Sequence, residues 1–258
     1  MRNLTKIKPV TFIFLSIFFI FLSHHIAFFI HEYAHAFVAW ALHYKNSPFD
    51  INYGGTSFEN LLLLSNVDQK VNNAVIYAAG HPGHVALIAL AGPGIILVLF
   101  FLSLRLMQAK KMAQHPVWLY FLFFFNLWCL GGTYAYVPIR TFTQEGVMVD
   151  ILDIQQALHI SPWWIYFFVG YLVIFMMWQF FSKSLILVYA HVCPANTTAR
   201  AVLMMICVVL LFGYCGLPGF ANHGDISHFL SVTSFFAIPG MMIVLWPTRE
   251  WVKRRVAC

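Results

Sequence analysis

Residues 10–42 read VTFIFLSIFFIFLSHHIAFFIHEYAHAFVAWAL, an apolar stretch that decides how the chain folds. A helix needs about 20 apolar residues to cross the hydrocarbon core of a bilayer, so this stretch is long enough to span it. Glu32 is the one acidic or basic side chain in the stretch when histidine is counted as neutral. A charge inside a membrane costs at least about 2.5 to 3.5 kcal/mol on insertion scales, so Glu32 requires a partner, a cavity or a function.

The rest of the chain has the composition of a membrane protein. Only 9% of its 258 residues are charged, whereas an ordinary soluble domain is about 25% charged. This composition excludes a soluble globular enzyme, a disordered tail and a nucleic-acid-binding module. Five further stretches are long and apolar enough to span a bilayer, at 75–104, 117–137, 163–190, 201–220 and 229–246. The sequence therefore predicts an all-α polytopic membrane protein, with about six transmembrane helices in a single integral-membrane domain over residues 1–258.

Between the first two predicted helices, residues 49–56 read FDINYGGT, which predicts a short strand followed by a turn. An exposed strand edge can bind an extended peptide through main-chain hydrogen bonds. An ordinary loop at the membrane interface is the alternative interpretation.

The basic residues are distributed unevenly over the predicted loops. Eleven of the 15 Lys and Arg residues fall on one side of the membrane and three fall on the other, while Lys183 lies near the end of the fourth stretch. The positive-inside rule then predicts that both termini are cytoplasmic. Residues 1–23 are basic and then apolar, so a cleavable signal peptide is an alternative interpretation of this segment.

The first stretch contains the motif His31-Glu32-Tyr33-Ala34-His35. Residues i and i+4 share one face of a helix, so the two imidazoles can converge on one metal ion while Glu32 reaches a water beside it. Two neutral histidines bind Zn²⁺ and leave positions for a third ligand and a water. The motif predicts a zinc centre with Glu32 as general base. The alternative is a set of polar side chains with satisfied hydrogen bonds in the core.

Other histidines and glycines have simpler interpretations beside functional ones. His24 shares a helical stripe with His31 and His35, which is also expected of a polar residue that lines the interior of a bundle. His81 and His84 flank Pro82, where they could bind a metal but more simply mark the start of a helix. Residues 92–94 (Gly-Pro-Gly) predict a break inside the second helix, and irregular backbone at that depth must be buried or line a cavity.

Together these features resemble the site-2-protease family of intramembrane zinc metalloproteases. The resemblance covers about residues 20–155. It rests on the motif at residues 31–35, on residues 91–94 (Ala-Gly-Pro-Gly) in a later helix, and on Asn126 in a helix that leads to Pro138. It implies one Zn²⁺ per chain, hydrolysis of peptide bonds in or near transmembrane segments, and a membrane-protein substrate with such a segment. The composition predicts the lipid bilayer as a partner and excludes a nucleic-acid partner.

The resemblance also implies that an aspartate, from a Leu-Asp-Gly sequence, is the third metal ligand. This chain has no Asp-Gly at the expected distance. Asp150 keeps the aspartate in the right connection, and Glu145 keeps the glycine that follows but changes the acid. Asp153 and Asp225 are further candidates, and the alternative is that these acids are merely solvated. We favour Asp150.

The sequence thus predicts a zinc metalloendopeptidase in which His31, His35 and Asp150 bind the metal and Glu32 is catalytic. Two other classes stay open. A membrane di-iron oxygenase, such as a desaturase or hydroxylase, would use many of the 12 histidines. A non-catalytic, protease-like membrane protein would explain the altered aspartate motif.

Overall fold

A computed structural model describes residues 9–64, 66–144, 150–193, 196–220 and 224–257. In chain order the α-helices are α1 (Pro9–Ala41), α2 (Phe58–Leu63), α3 (Asn73–Ala78), α4 (Pro82–Gln108), α5 (Pro116–Tyr134), α6 (Asp150–Leu158), α7 (Pro162–Gln179), α8 (Leu185–His191), α9 (Thr197–Val208), α10 (Asp225–Val244) and α11 (Glu250–Ala257). Two short strands, β1 (Asn52–Tyr53) and β2 (Val67–Asp68), lie between α1 and α4.

Several long helices continue through irregular turns. After α5 the backbone kinks within Ala135–Ile139, where Val137 has an extended conformation with φ of −136° and ψ of 116°. A π-helical segment, Phe180–Ser184, joins α7 to α8. Helix α9 continues through a π-helical segment and a 3₁₀ segment as far as Phe220. Among the described residues, six helical segments are long and apolar enough to cross a membrane: Val10–Ala41, Pro82–Gln108, Pro116–Ile139, Pro162–His191, Thr197–Phe220 and Asp225–Val244. The predicted all-α polytopic fold is confirmed, and the chain is a multi-pass membrane protein.

Prolines mark the starts of three of these segments. Pro82, Pro116 and Pro162 stand at the beginning of α4, α5 and α7. The missing N–H of proline costs nothing in the first helical turn, where no intrahelical acceptor is available, and its fixed φ favours the helix. The sequence therefore specifies these boundaries locally.

Two features of the second predicted helix differ from the expectation. It begins at Pro82 and not at residue 75, because residues 73–78 form the separate helix α3 and Gly80 then adopts a positive φ of 78°. The predicted break at residues 92–94 is absent, since α4 runs through Pro93 as one helix from Pro82 to Gln108. A proline forfeits one backbone hydrogen bond, and the packing of α4 against α1, α5 and α6 holds the helix together.

The strand and turn predicted between the first two long helices are present. Strand β1 pairs antiparallel with β2, with Asn52 opposite Asp68 and Tyr53 opposite Val67. Asn60 closes the turn, because its amide nitrogen donates to the carbonyls of Tyr53 and Gly55 at 3.0 Å each. The result is a two-stranded sheet beside α1, where Ile51 and Val67 share a buried cluster with Ala36.

Helix α5 lies at the centre of the bundle and contacts α1, α4 and α7. A buried polar cluster fixes its position: Asn126 donates to the Phe100 carbonyl and to Ser103 Oγ, both at 2.8 Å, and accepts a hydrogen bond from Ser184 Oγ at 2.8 Å. Helix α4 also contacts α6. These contacts bring the beginning of α6 against the middle of α1, where the histidine motif lies.

Candidate metal centre

Helix α1 presents His31 and His35 one turn apart on its buried face, with 5% and 1% of their surfaces exposed. Nδ1 of His35 donates to the carbonyl of Ile88 in α4 at 2.6 Å. A carbonyl can only accept, so this bond leaves Nε2 of a neutral His35 with its lone pair facing into the site. An outer hydrogen bond of this kind is typical of a metal-binding imidazole, since it fixes the tautomer and the orientation of the ring.

Asp150 is the first residue of α6, and its carboxylate lies against both imidazoles. Its Oδ2 is 3.2 Å from Nε2 of His31 and 3.4 Å from Nε2 of His35, and the two Nε2 atoms are 3.0 Å apart. Burial alone would raise the pKa of Asp150, but the neighbouring imidazoles outweigh burial and lower that pKa well below its ordinary value. The low pKa favours the anionic form of the aspartate, which is the form that a metal ion would bind.

The three donor atoms have the spacing of ligands around one small cation. Metal–ligand bonds of about 2.0 to 2.1 Å in a tetrahedron separate neighbouring donors by about 3.3 Å, which is close to the three distances given above. Two imidazoles and one carboxylate also form the donor set of mononuclear iron oxygenases, so the ligands alone do not distinguish zinc from iron. The three residues present fit one metal ion and would leave at least one of its positions for water or another molecule.

Gly92 of α4 leaves the room that such a cation needs. A Cβ at this position would lie 2.2 Å from Nε2 of His35 and 2.6 Å from Nε2 of His31. Real Cβ atoms do not approach other atoms so closely, so any side chain here would fill the space between the donor atoms. Gly92 therefore matters to the site because it has no side chain. It does not break the helix.

Glu32 is buried beside the cluster, with 6% of its surface exposed. The backbone of Gln69, the residue after β2, lies near its carboxylate, but Oε2 has no hydrogen-bond partner among the described residues. A buried carboxylate oxygen without a partner is costly. Glu32 therefore has an acceptor atom available to a water or a substrate group.

Tyr136 is a further residue of the centre, and the sequence analysis missed it. Its hydroxyl oxygen lies 3.1 Å from Nε2 of His31, and its ring stacks on the His31 ring with centroids 5.4 Å apart. The guanidinium of Arg140 lies over the Tyr136 ring, 5.4 Å from the ring centre. Eleven tyrosines occur in the chain, and only the position two residues before Pro138 sets this one apart in the sequence.

The other acidic candidates lie elsewhere or outside the described residues. Asp153 accepts a hydrogen bond from Nδ2 of Asn73 at 2.7 Å, and burial raises its pKa. Asp225 is exposed at the beginning of α10. Glu145 lies outside the described residues. Among the residues that the structure describes, His31, His35 and Asp150 form the one group of His, Cys, Asp and Glu side chains close enough to share a metal ion.

The remaining histidine candidates pack as ordinary interior or interfacial residues. His24 stacks on Trp128, with ring centroids 4.3 Å apart. His81 and His84 stack on each other at 5.1 Å, and Nδ1 of His84 lies 2.7 Å from the hydroxyl of Tyr44. None of these three belongs to the group around Asp150.

Asn126 does not reach the centre either. The resemblance rests partly on this residue, but its amide is fully engaged in the cluster that joins α4, α5 and Ser184. The physical reason is its depth in α5, because it precedes Tyr136 by almost three helical turns. Comparison of the chain with protein-family models, with curated proteins and with solved structures gives no match.

Proposed function

We propose that this chain is an intramembrane zinc metalloprotease of the site-2-protease type, which hydrolyses peptide bonds in or near transmembrane segments of membrane proteins. The observation that carries the proposal is Glu32. Its unpartnered carboxylate oxygen is buried in a membrane helix beside two imidazoles and an aspartate that can share one cation. A general base next to a metal is what peptide hydrolysis requires.

In the proposed mechanism His31, His35 and Asp150 hold one Zn²⁺ per chain. When bound, zinc polarises the scissile carbonyl and lowers the pKa of a water in the site. Glu32 accepts the proton of the attacking water and delivers it to the departing amine. The Gln69 backbone lies near this carboxylate, and its Oε2, which has no partner among the described residues, is available to move the proton.

We assign Tyr136 the role of hydrogen-bond donor to the carbonyl oxygen as negative charge develops on it. Its hydroxyl lies beside the metal ligand His31, and the stacked rings restrain its orientation. Loss of one such donor typically lowers kcat by about 10² to 10³. Tyr136→Phe should therefore lower kcat while leaving KM and metal content nearly unchanged, and unaltered kcat would exclude this role.

The sheet offers a place for an extended substrate. Gln69 directly follows β2 and contacts the catalytic carboxylate, so the sheet lies next to the proposed reaction centre. A transmembrane segment that locally unwinds could pair with a strand edge through its main chain. Such pairing would present the scissile bond in an extended conformation close to Glu32.

Measuring substrate cleavage by the Glu32→Gln variant tests the proposed function. The amide keeps the size of the side chain but cannot accept a proton, so we expect loss of cleavage with full zinc content. Membranes from cells that express wild type, Glu32→Gln or the exposed control Glu59→Gln are compared by quantitative proteomics for truncated single-span proteins. Truncation that depends on wild type and persists in Glu59→Gln supports the proposal. Equal truncation in Glu32→Gln would contradict it.

A further inference from the structure

Helix α11 follows the last membrane segment and carries a concentrated positive charge. Residues 249–255 contain four basic residues and one acidic residue, Glu250. Two tryptophans, Trp246 and Trp251, accompany them. Tryptophan is enriched where a membrane meets water, and basic residues just beyond a membrane helix attract anionic lipid headgroups. The composition of this segment is thus suited to the surface of a bilayer.

The helix is fixed against the bundle and does not extend away from it. Val252 is buried with 1% of its surface exposed, and Nε1 of Trp251 donates to the Val244 carbonyl at 3.0 Å. Nη1 of Arg255 donates to the carbonyl of Ser182 at 3.4 Å. These contacts hold Arg255 at the junction between the end of α10 and the π-helical segment Phe180–Ser184.

A groove opens at this junction between α7 and α10. Its volume is about 350 Å³, and it is lined by Met177, Trp178, Phe181, Met241, Val244 and Arg255 among others. Arg255 is the one charged residue of this lining. Trp178 and Val244 each expose 54% of their surface, so the groove faces the surroundings of the bundle. In a membrane those surroundings are the acyl chains of lipids.

A second cation, Lys183, lies beside one wall of the groove. Nζ of Lys183 lies 6.0 Å from the ring centre of Trp178, the residue that forms one wall of the groove. Lys183 is near the end of a membrane segment, where a long side chain can extend its charge toward the headgroups. An apolar groove with one cation in its lining and a second beside one of its walls is complementary to a molecule with a hydrocarbon chain and an anionic head.

We infer that this groove binds an anionic phospholipid. One acyl chain lies along Met177, Phe181 and Met241, and the phosphate interacts with Arg255 and Lys183. Guanidinium groups bind phosphate through two parallel hydrogen bonds, and lysine contributes a point charge. A zwitterionic lipid presents a compensating positive charge, so it binds less well. The inference is independent of the proposed protease activity.

Native mass spectrometry of the full-length chain tests this inference. The protein is taken from nanodiscs that contain phosphatidylglycerol and phosphatidylcholine in equal amounts, and the retained lipids are counted. Lys183→Gln combined with Arg255→Gln should reduce retained phosphatidylglycerol by at least about tenfold relative to wild type, because each cation contributes to headgroup attraction. The control Lys110→Gln with Lys111→Gln removes two exposed charges that follow α4 and should retain the lipid.

Two additional variants keep the test decisive if the double variant folds poorly. Arg255→Lys preserves the charge and should retain most of the lipid. Lys183→Gln leaves the hydrogen bond from Arg255 to Ser182 intact and should lose part of the bound lipid. Phosphatidylglycerol should also raise the Tm of wild type more than that of Lys183→Gln. Equal retention of both lipids by all variants, or a second copy of the chain bound in place of lipid, would overturn the inference.

Discussion

Gly92 shows how narrowly the candidate metal centre depends on single residues. It faces the two imidazoles from α4, and there is no space for a Cβ between them and the helix. Gly94, two residues further along the same helix, has no atom within 4 Å of the place where its Cβ would be. The two glycines therefore form a matched pair in which only one contacts the centre.

Gly92→Ala should lower the metal affinity by at least about tenfold, because the added methyl group displaces the donor atoms. Gly94→Ala should keep full metal content and equal or higher thermal stability, since alanine is the better helix former. Metal per chain and Tm in detergent measure both effects. Full metal content in Gly92→Ala would show that the imidazoles do not converge where the structure has them.

Residues of the centre differ in how far the sequence predicts them. His31, Glu32 and His35 belong to one helix, so helical periodicity alone places them together. Asp150 comes 119 residues after His31, and its selection depended on a family resemblance and not on spacing. Tyr136 was missed because nothing local marks a tyrosine that meets a histidine 105 residues away.

At the scale of elements, the position of α6 determines whether the third donor reaches the imidazoles. Asp153 lies one turn after Asp150 and binds Asn73 at the beginning of α3. The hydroxyl of Tyr77, also in α3, donates to the Asp153 carbonyl at 3.2 Å. Two residues of α3 therefore hold the first turn of α6 in place. They help to position the candidate ligand Asp150 although they do not contact it.

Asn73→Ala should weaken metal binding by about tenfold to a hundredfold, because loss of a supporting hydrogen bond lets the donor move. The exposed residue Asn66, in the same connection, provides the control Asn66→Ala, which should bind metal like wild type. Competition with a chelator measures the affinities. Identical affinities for the two variants would separate α3 from the geometry of the centre.

Helix boundaries were predictable where a local signal exists. Prolines mark the starts of α4, α5 and α7. Hydropathy nevertheless joined residues 75–81 to α4, because these residues and the beginning of α4 form one apolar run. The separation depends on the positive φ of Gly80, which hydropathy does not register. Similarly, Pro93 is visible in the sequence, but the packing of neighbouring helices that keeps α4 continuous is not.

For the whole molecule, an even number of membrane crossings predicts that the two ends of the described chain lie on the same side, if all six candidate segments cross the membrane. The excess of basic residues predicts that this side is cytoplasmic. Epitope tags at both termini should be protected from protease in sealed, right-side-out membranes and cleaved after permeabilisation. Cleavage of either tag before permeabilisation would contradict this orientation, and a tag placed after Asn66 should show the opposite pattern.

The central claim is that His31, His35 and Asp150 bind one zinc ion. The most direct test is to measure zinc and iron per chain in purified wild type, Asp150→Ala and Asp225→Asn. We predict about one zinc in wild type and in Asp225→Asn, because three protein ligands suffice for a catalytic zinc. We predict less than about a tenth of that in Asp150→Ala, which loses one ligand. Iron in place of zinc in wild type, or full zinc content in Asp150→Ala, would contradict the account.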